Sequence, residues 1–349
     1  MNAYVKLTSL VLVLLLLATG TMLGGNKNRI GTAGAPELLI PVGARGIAMG
    51  GATLSSVSGI DAIYWNPAGL VRANRDLEIM VSDMVYFADI NVAYAAVGAR
   101  LGNFGSLGFS LKSLSFGDIP VTTVEVPDGT GQMFSPGYIN ASVTYSTQVI
   151  DRVSVGLTAT YISHTILSTS ETGFGFNFGI QYIGLAVPGL SLGVAIKNVG
   201  TELRYEGSDM YQKATYQDNT NRVNELLAVR AAGYELPTTL QLGVGYQYDF
   251  NESFTGKAEG MYVSNGFNND EYKLGLEIGY DKMFFLRGGY TLMPDAGTDV
   301  GGQDRYLYSY AVGAGYHADL GGVTVGVDYT FQAMKYFDGN HIFSVIIGI

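Results

Sequence analysis

The chain has 349 residues, of which 47% are hydrophobic and only 14% charged, and its formal net charge is −10. A soluble domain carries about 25% charged residues, so this chain is short of the charge that covers a water-facing surface. The acidic balance excludes the basic footprint a nucleic-acid partner requires. With no cysteine, disulfides, thiolate metal sites and cysteine nucleophiles are excluded as well.

The first predicted element is an export signal. Lys6 supplies positive charge, Leu7 to Ala18 forms an apolar core, and small residues follow at Ala18, Thr19, Gly20, Gly24 and Gly25. The core has the length of a signal-peptide h-region and is too short to span a bilayer, which disfavours a membrane anchor. Residues 1–22 are therefore read as a signal peptide, cleaved near 20–25. Beyond it no segment approaches the roughly 20 apolar residues of a transmembrane helix. The other backbone arrangement that satisfies its hydrogen bonds in lipid is a closed β-barrel. The 48 Gly, 24 Tyr and 16 Phe fit small lumenal residues and aromatic belts at the membrane interfaces.

Residues 23–76 lack strand alternation and are rich in Gly and Ala. They contain Val42-Gly43-Ala44-Arg45-Gly46-Ile47-Ala48-Met49-Gly50-Gly51-Ala52 and Asp61-Ala62-Ile63-Tyr64-Trp65-Asn66-Pro67-Ala68-Gly69-Leu70. About eight strands already reach the width that wall side chains can fill, so a wider barrel needs a plug, and this segment is predicted to be one. Ile47, Met49, Ile63 and Trp65 argue against a disordered leader. Pro67 fixes a turn and biases Asn66 away from helix. Arg45 and Asp61 are the main charges in the middle of the segment. Both are expected to bond within the plug or to wall carboxylates and lysines, while Trp65 and Pro67 wedge the Asn-Pro-Ala turn against the lumen.

From 77 to 349 apolar residues alternate with period two. Phe174, Phe176, Phe178, Ile180 and Tyr182 interleave with Gly173, Gly175, Asn177, Gly179 and Gln181; the runs 239–250 and 323–332 repeat the pattern. Strands are predicted near 77–87, 91–101, 105–116, 137–148, 152–166, 172–184, 190–200, 238–250, 252–263, 271–281, 283–293, 306–319, 322–335 and 340–349. That makes an all-β transmembrane antiparallel barrel of about fourteen strands, an even number as bacterial barrels have. Links after even-numbered strands are short, including Val149-Ile150-Asp151, Asn251, Lys282 and Gly321. The long links, 117–136, 201–237 and 294–305, all follow odd-numbered strands. Short periplasmic turns and long extracellular loops are the pattern of outer-membrane barrels, which puts both termini in the periplasm.

Lys112, Lys197, Glu277, Asp281 and Asp328 are expected on the lumen face, paired with one another and with the plug. Asp118, Thr122 and Thr123 in loop 117–136 form one candidate partner surface. In loop 201–237, Val223, Leu226, Leu227 and Arg230 have the spacing of one helix face, so a short helix there would be a lid, a docking surface or rim packing. No catalytic, cofactor or metal residue is assigned. His164, His317 and His341 lie on separate strands without metal-ligand spacing, and no Gly-x-Ser-x-Gly occurs.

The run from Gly43-Ala44-Arg45 through Met49-Gly50-Gly51-Ala52, with Asp61 and Tyr64-Trp65-Asn66-Pro67-Ala68-Gly69-Leu70, resembles the N-terminal signature of the PorV/PorQ family. More distantly it resembles the FadL transporters, with which it shares an Asn-Pro-Ala motif. Ser82-Asp83, Ala88-Asp89-Ile90-Asn91, Gly117-Asp118 to Val121-Thr122-Thr123, Pro127-Asp128-Gly129-Thr130-Gly131, Asp151-Arg152-Val153-Ser154-Val155-Gly156 and Leu286-Arg287-Gly288-Gly289-Tyr290 extend the resemblance over nearly the whole mature chain. It implies a FadL-like fourteen-stranded barrel with an N-terminal hatch. It further implies an accessory or cargo-carrier subunit of type IX-like protein secretion, partnered by outer-membrane lipid and by a translocon or exported cargo. One departure is the C-terminal residue, Ile349 in place of the Phe common in barrels. The alternative function is a FadL-type channel for a hydrophobic ligand. The Gly, Ser, Thr, Asn and Gln of the expected lumen face lean against a fatty-acid tunnel.

Overall fold

The computed structural model describes residues 29–185, 187–217, 222–294, 297 and 307–349. The expected signal peptide, 1–22, lies outside the described residues, as does most of loop 294–305. The fourteen strands are β1 Leu77–Val85, β2 Asn91–Arg100, β3 Ser106–Ser115, β4 Gly137–Ile150, β5 Val153–Ile166, β6 Thr169–Ile183 and β7 Leu190–Gly200. They continue as β8 Thr239–Asp249, β9 Phe254–Asn265, β10 Glu271–Tyr280, β11 Phe284–Leu292, β12 Tyr308–Asp319, β13 Thr324–Met334 and β14 Asn340–Gly348. Each pairs antiparallel with its chain neighbours. The barrel closes where β1 meets β14, from Glu78 opposite Gly348 to Val85 opposite His341. Three irregularities interrupt the wall: between Gln148 and Ile150 where β4 meets β5, between Tyr308 and Ala311 where β12 meets β13, and between β6 and β7, where the ladder slips between Phe176 and Phe178 and the Asn198 N–H donates instead to the Asn177 side chain at 2.8 Å.

Alternation decides which face meets what. Phe174, Phe176, Phe178 and Ile180 on β6, and Leu274, Leu276 and Ile278 on β10, point outward and are exposed. A closed barrel with this apolar outer band is a membrane-spanning structure. Tyr248, Phe250, Phe254, Tyr280, Phe284 and Tyr316 form an outward girdle at the short-turn end, with Phe254 against Tyr280 at 4.8 Å and Phe284 against Tyr316 at 5.0 Å. Inward positions are polar and buried, among them Thr144, Ser146, Thr158, Gln181, Asp328 and Thr330.

The expected strands all form, with shifts of a few residues at their ends. Three local expectations are corrected. First, β4 runs on through Ile150, so that turn closes at 151–152 and not over Val149-Ile150-Asp151. Second, Asp281 does not face the lumen: with Lys282 it turns the β10–β11 hairpin, both at positive φ (50° and 56°), and it is exposed. Third, the helix expected around 223–230 in loop 201–237 does not form; the loop's described helical residues are one 3-10 turn, Ser208–Met210. Tyr211–Gln217 pairs antiparallel with Arg222–Ala228, so Val223, Leu226 and Leu227 lie on a β-ribbon and Arg230 follows it in irregular chain. Successive strand residues face opposite sides, which separates Leu226 from Leu227.

The apolar core lies inside the barrel, where residues 29–76 are packed. This inner segment has two short α-helices, α1 Ala44–Ala48 and α2 Ala62–Trp65, and 3-10 segments at Pro36–Leu39, Gly59–Asp61 and Pro67–Arg72. Gly50 and Gly51, at φ +64° and +82°, end α1, a backbone that only glycine adopts without strain. Ile47, Ile60, Ile63 and Leu70 are buried against Met80 and Met84 of β1, Val92 of β2, Leu114 of β3 and Ile342 of β14. Burying each such side chain stabilises by about 1.5–3 kcal/mol, so this wall sector anchors the segment.

Candidate functional site: the inner segment and the lumen

The wall accepts the inner segment in pairs of facing glycines. Gly156 on β5 lies opposite Gly179 on β6. A Cβ at Gly179 would overlap the Asn66 amide, and one at Gly156 would overlap the Pro67 carbonyl. Asn66 is extended (φ −155°, ψ 107°), as the residue before proline must be, and caps the turn Pro67–Arg72 by accepting from the Ala68 N–H at 3.2 Å. Its amide donates to the Leu54 carbonyl at 2.8 Å and to the wall carbonyl of Ile180 at 3.3 Å. The Asn-Pro-Ala turn is thus keyed to the wall. Gly193 opposite Gly243 receives Leu54 and Ser55 in the same manner, and Gly275 opposite Gly289 receives Met49 and Gly50.

Charge holds another side. Arg45 on α1 donates through Nε and Nη2 to both oxygens of Glu277 on β10, at 3.2 and 3.3 Å. Cross-strand register puts Lys257 and Arg287 on either side of Glu277. Arg287 Nε donates to Glu277 at 2.6 Å, its Nη1 reaches Asp328, and His317 Nε2 lies 3.1 Å from the other Asp328 oxygen. The expectation for Arg45 thus holds. Asp61 does not follow it, having no ion pair within reach among the described residues although only 6% of it is exposed. Burial pushes its carboxyl up to about 6, against the pull of Arg45. Nearby, Glu259 of β9 accepts from the Ser55 N–H at 2.5 Å and the Ser56 hydroxyl at 2.6 Å.

At the long-loop end a third tie joins the segment to a surface loop. The fully buried Glu37 accepts from Asn140 at 3.3 Å and lies 2.9 Å from His164 Nε2. His164 Nδ1 is 2.7 Å from Glu171, which also accepts from the Tyr234 hydroxyl of loop 201–237. Sequence reading missed this cluster. His164 pairs directly with Glu171 across the β5–β6 hairpin, but the expected strand start at 172 left Glu171 in a turn. Glu37 is far away in sequence and carries no local signal.

Two larger spaces flank the inner segment. Toward the long loops, a cavity of about 330 Å³ is lined by Leu38, Ile40, Tyr64 and Trp65 of the segment and by Met261 and Val263 of the wall, with Lys197 and Lys273 beside them. The Lys197 ammonium stands over the Tyr64 ring at 4.5 Å. Lys112 is held by the Glu37 carbonyl at 2.6 Å and by that of Ile40. Toward the short turns, a cavity of about 390 Å³ is lined by Arg45, Asp61, Arg75, Glu78, His317 and Asp319.

The structure brings Arg45, Met49, Asp61, Trp65, Asn66 and Pro67 together inside the lumen. It keeps Asp118, Thr122 and Thr123 apart from them: these are exposed in loop 117–136, whose ends pair as Ile119–Pro120 with Met133–Phe134. Leu226, Leu227 and Arg230 are exposed on loop 201–237.

No protein-family model matches the sequence, and no curated protein matches it. Solved structures do resemble it. The Pseudomonas putida toluene transporter TodX superposes with a TM-score of 0.53 at 15% identity, covering 88% of this chain and 97% of TodX. The Ralstonia pickettii toluene transporter TbuX gives 0.51 at 13%, and the monoaromatic hydrocarbon channel CymD 0.52 at 13%, each over 88% of this chain and 97% of the other. At such identities the likeness is one of fold: a FadL-like, fourteen-stranded antiparallel barrel.

Proposed function

We propose that this protein is an outer-membrane channel for uptake of small apolar molecules, with residues 29–76 as its plug, the long loops outside the cell and both termini in the periplasm. The observation that carries the reading is the cavity above the inner segment. Its 330 Å³ falls in the range of small-molecule sites, about 300–1,000 Å³. One wall is the apolar side of the inner segment, Leu38, Leu39, Ile40, Tyr64 and Trp65, and Met261 and Val263 line the wall sector. Such a surface takes an aromatic or aliphatic body, and the amides and lysines around it orient a polar end. The toluene transporters that share the fold support this reading over a secretion-accessory role, which rests on the PorV/PorQ resemblance alone.

Photolabelling tests it. A toluene-sized aryl diazirine, irradiated with the purified protein and mapped by mass spectrometry, should modify Tyr64, Trp65 or Met261, in competition with unlabelled toluene. Labelling confined to outward residues such as Phe178 and Leu276, with no competition, would refute a lumenal site.

A further inference from the structure

The two large cavities do not end at a featureless wall. Between them, where the inner segment meets β9 and β10, is a void of about 10 Å³ lined by Arg45, Thr53, Asp61, Trp65, Lys257 and Glu277, among others. The three spaces share side chains. Trp65 lines both the long-loop cavity and the small void, and Arg45 and Asp61 line both the void and the short-turn cavity. The three spaces thus lie in series from the long-loop end to the short-turn end, separated by these three side chains.

The narrow point carries unpaired polar atoms. Thr53 Oγ1, Asp61 Oδ1 and Trp65 Nε1 are buried there without a protein hydrogen-bond partner, and their residues are only 7%, 6% and 6% exposed. A buried polar group left unpaired costs about 1–3 kcal/mol, and proteins meet such groups with ordered water where the space is polar and holds about one water-sized sphere. A water here would accept from the Trp65 indole N–H and donate to Asp61 and Thr53. Charge of both signs surrounds it: Arg45 and Lys257 against Asp61 and Glu277. Met49, Val57 and the Trp65 ring supply apolar surface beside these charges, but a space of about one water-sized sphere excludes an apolar solute and takes a water.

We propose that a second route, for water and small ions, passes between the inner segment and the β9–β10 wall, and that the Trp65 ring and the Arg45 fork on Glu277 are its gate. The proposal goes beyond apolar uptake, and its readout needs no apolar ligand, so the two stand or fall separately. Trp65 blocks by bulk: it packs on Gly46, where a Cβ would overlap the indole, and meets Tyr64 edge-on at 5.1 Å. Arg45 blocks by charge and by its two bonds to Glu277.

The test is ion conductance of the full-length protein in planar bilayers. The wild type should be nearly closed. Trp65→Ala should conduct at least tenfold more, yet well below a variant lacking residues 34–70, and Trp65→Phe, which keeps an aromatic ring, should stay near the wild type. In the Trp65→Ala background under a tenfold KCl gradient, Arg45→Gln should shift the reversal potential toward cation selectivity and Asp61→Asn toward anion selectivity. Three results would overturn the proposal. One is wild-type conductance in a Trp65→Ala protein with normal heat-modifiable gel mobility. Another is conductance equal to the deletion, meaning the segment has left the barrel. The third is a reversal potential unmoved by either second substitution, which puts the current elsewhere.

Discussion

Replacing Glu277 by Gln should loosen the inner segment without opening the barrel. Its carboxylate accepts two bonds from Arg45, at 3.2 and 3.3 Å, and one from Arg287 at 2.6 Å, with the Lys257 ammonium 3.7 Å away. Arg287 keeps Asp328, so the groups left without an ion pair are Lys257 on the wall and Arg45, the one member on the inner segment. Removing one partner of a buried pair costs about 3–5 kcal/mol; glutamine retains one acceptor oxygen, which puts the loss near the lower figure, about 3 kcal/mol. With a urea dependence of about 1–3 kcal/mol per molar, the release midpoint falls by roughly 1–3 M. The assay is built into the chain: Trp65 is its single tryptophan and is buried in the inner segment, so intrinsic fluorescence during a urea titration follows that segment alone. Heat-modifiable gel mobility follows the barrel. The control is Asp319→Asn at the pair with Arg75, where the carboxylate side chain is 62% exposed and solvent screens the charge; its midpoint should not move. An unchanged midpoint in Glu277→Gln, or an equal fall in Asp319→Asn, would refute the claim that this network docks the segment.

Three further outcomes are expected. Gly179→Val should drive the Asn-Pro-Ala turn from its socket and red-shift Trp65 emission, while Gly288→Ala, with no atom within 4 Å of the new Cβ, should be silent; equal effects would remove the glycine sockets from the account. Asp61 in the folded protein titrates near 6, above the ordinary 3.8, so its ionisation opposes folding: the penalty is absent below about pH 4, grows until about pH 6 and reaches at most about 3 kcal/mol. Asp61→Asn should therefore raise the Trp65-monitored midpoint at pH 8 and leave it unchanged at pH 4, and a lower midpoint at pH 8 would reverse the sign of the argument. In whole cells, a membrane-impermeant thiol reagent should label Asp209→Cys and spare Asp151→Cys, and the converse would invert the orientation.

The barrel was legible because its signal is local. Each strand repeats an apolar-out, polar-in alternation, and the long links follow odd-numbered strands only. The inner segment was legible from Trp65, Ile47 and Ile63 among glycines, and Asn66-Pro67 from the backbone limits proline imposes. What failed was of two kinds. In 223–230 the apolar spacing fits a helix face, but Asp218-Asn219-Thr220-Asn221, a composition that favours turns, separates two segments that pair as a ribbon. The position of Asp281 likewise depended on where one hairpin turned. The other kind depends on register. Facing Gly156 with Gly179, or Glu277 with both Lys257 and Arg287, requires knowing how neighbouring strands align, and joining them to Asn66 or Arg45 requires the docked segment. The functional order also changed: sequence resemblance put secretion first and uptake second, whereas the reading proposed above puts uptake first, on the cavity above Trp65.

The central claim is that this barrel admits small apolar molecules past a docked inner segment. Its most direct measurement is the initial rate at which whole cells take up radiolabelled toluene at limiting concentration. Cells producing the protein in their outer membrane should take it up several-fold faster than cells with empty vector, and Tyr64→Lys, which puts a charge into the cavity wall, should bring the rate back to the vector level. Equal rates with and without the folded protein would contradict the claim.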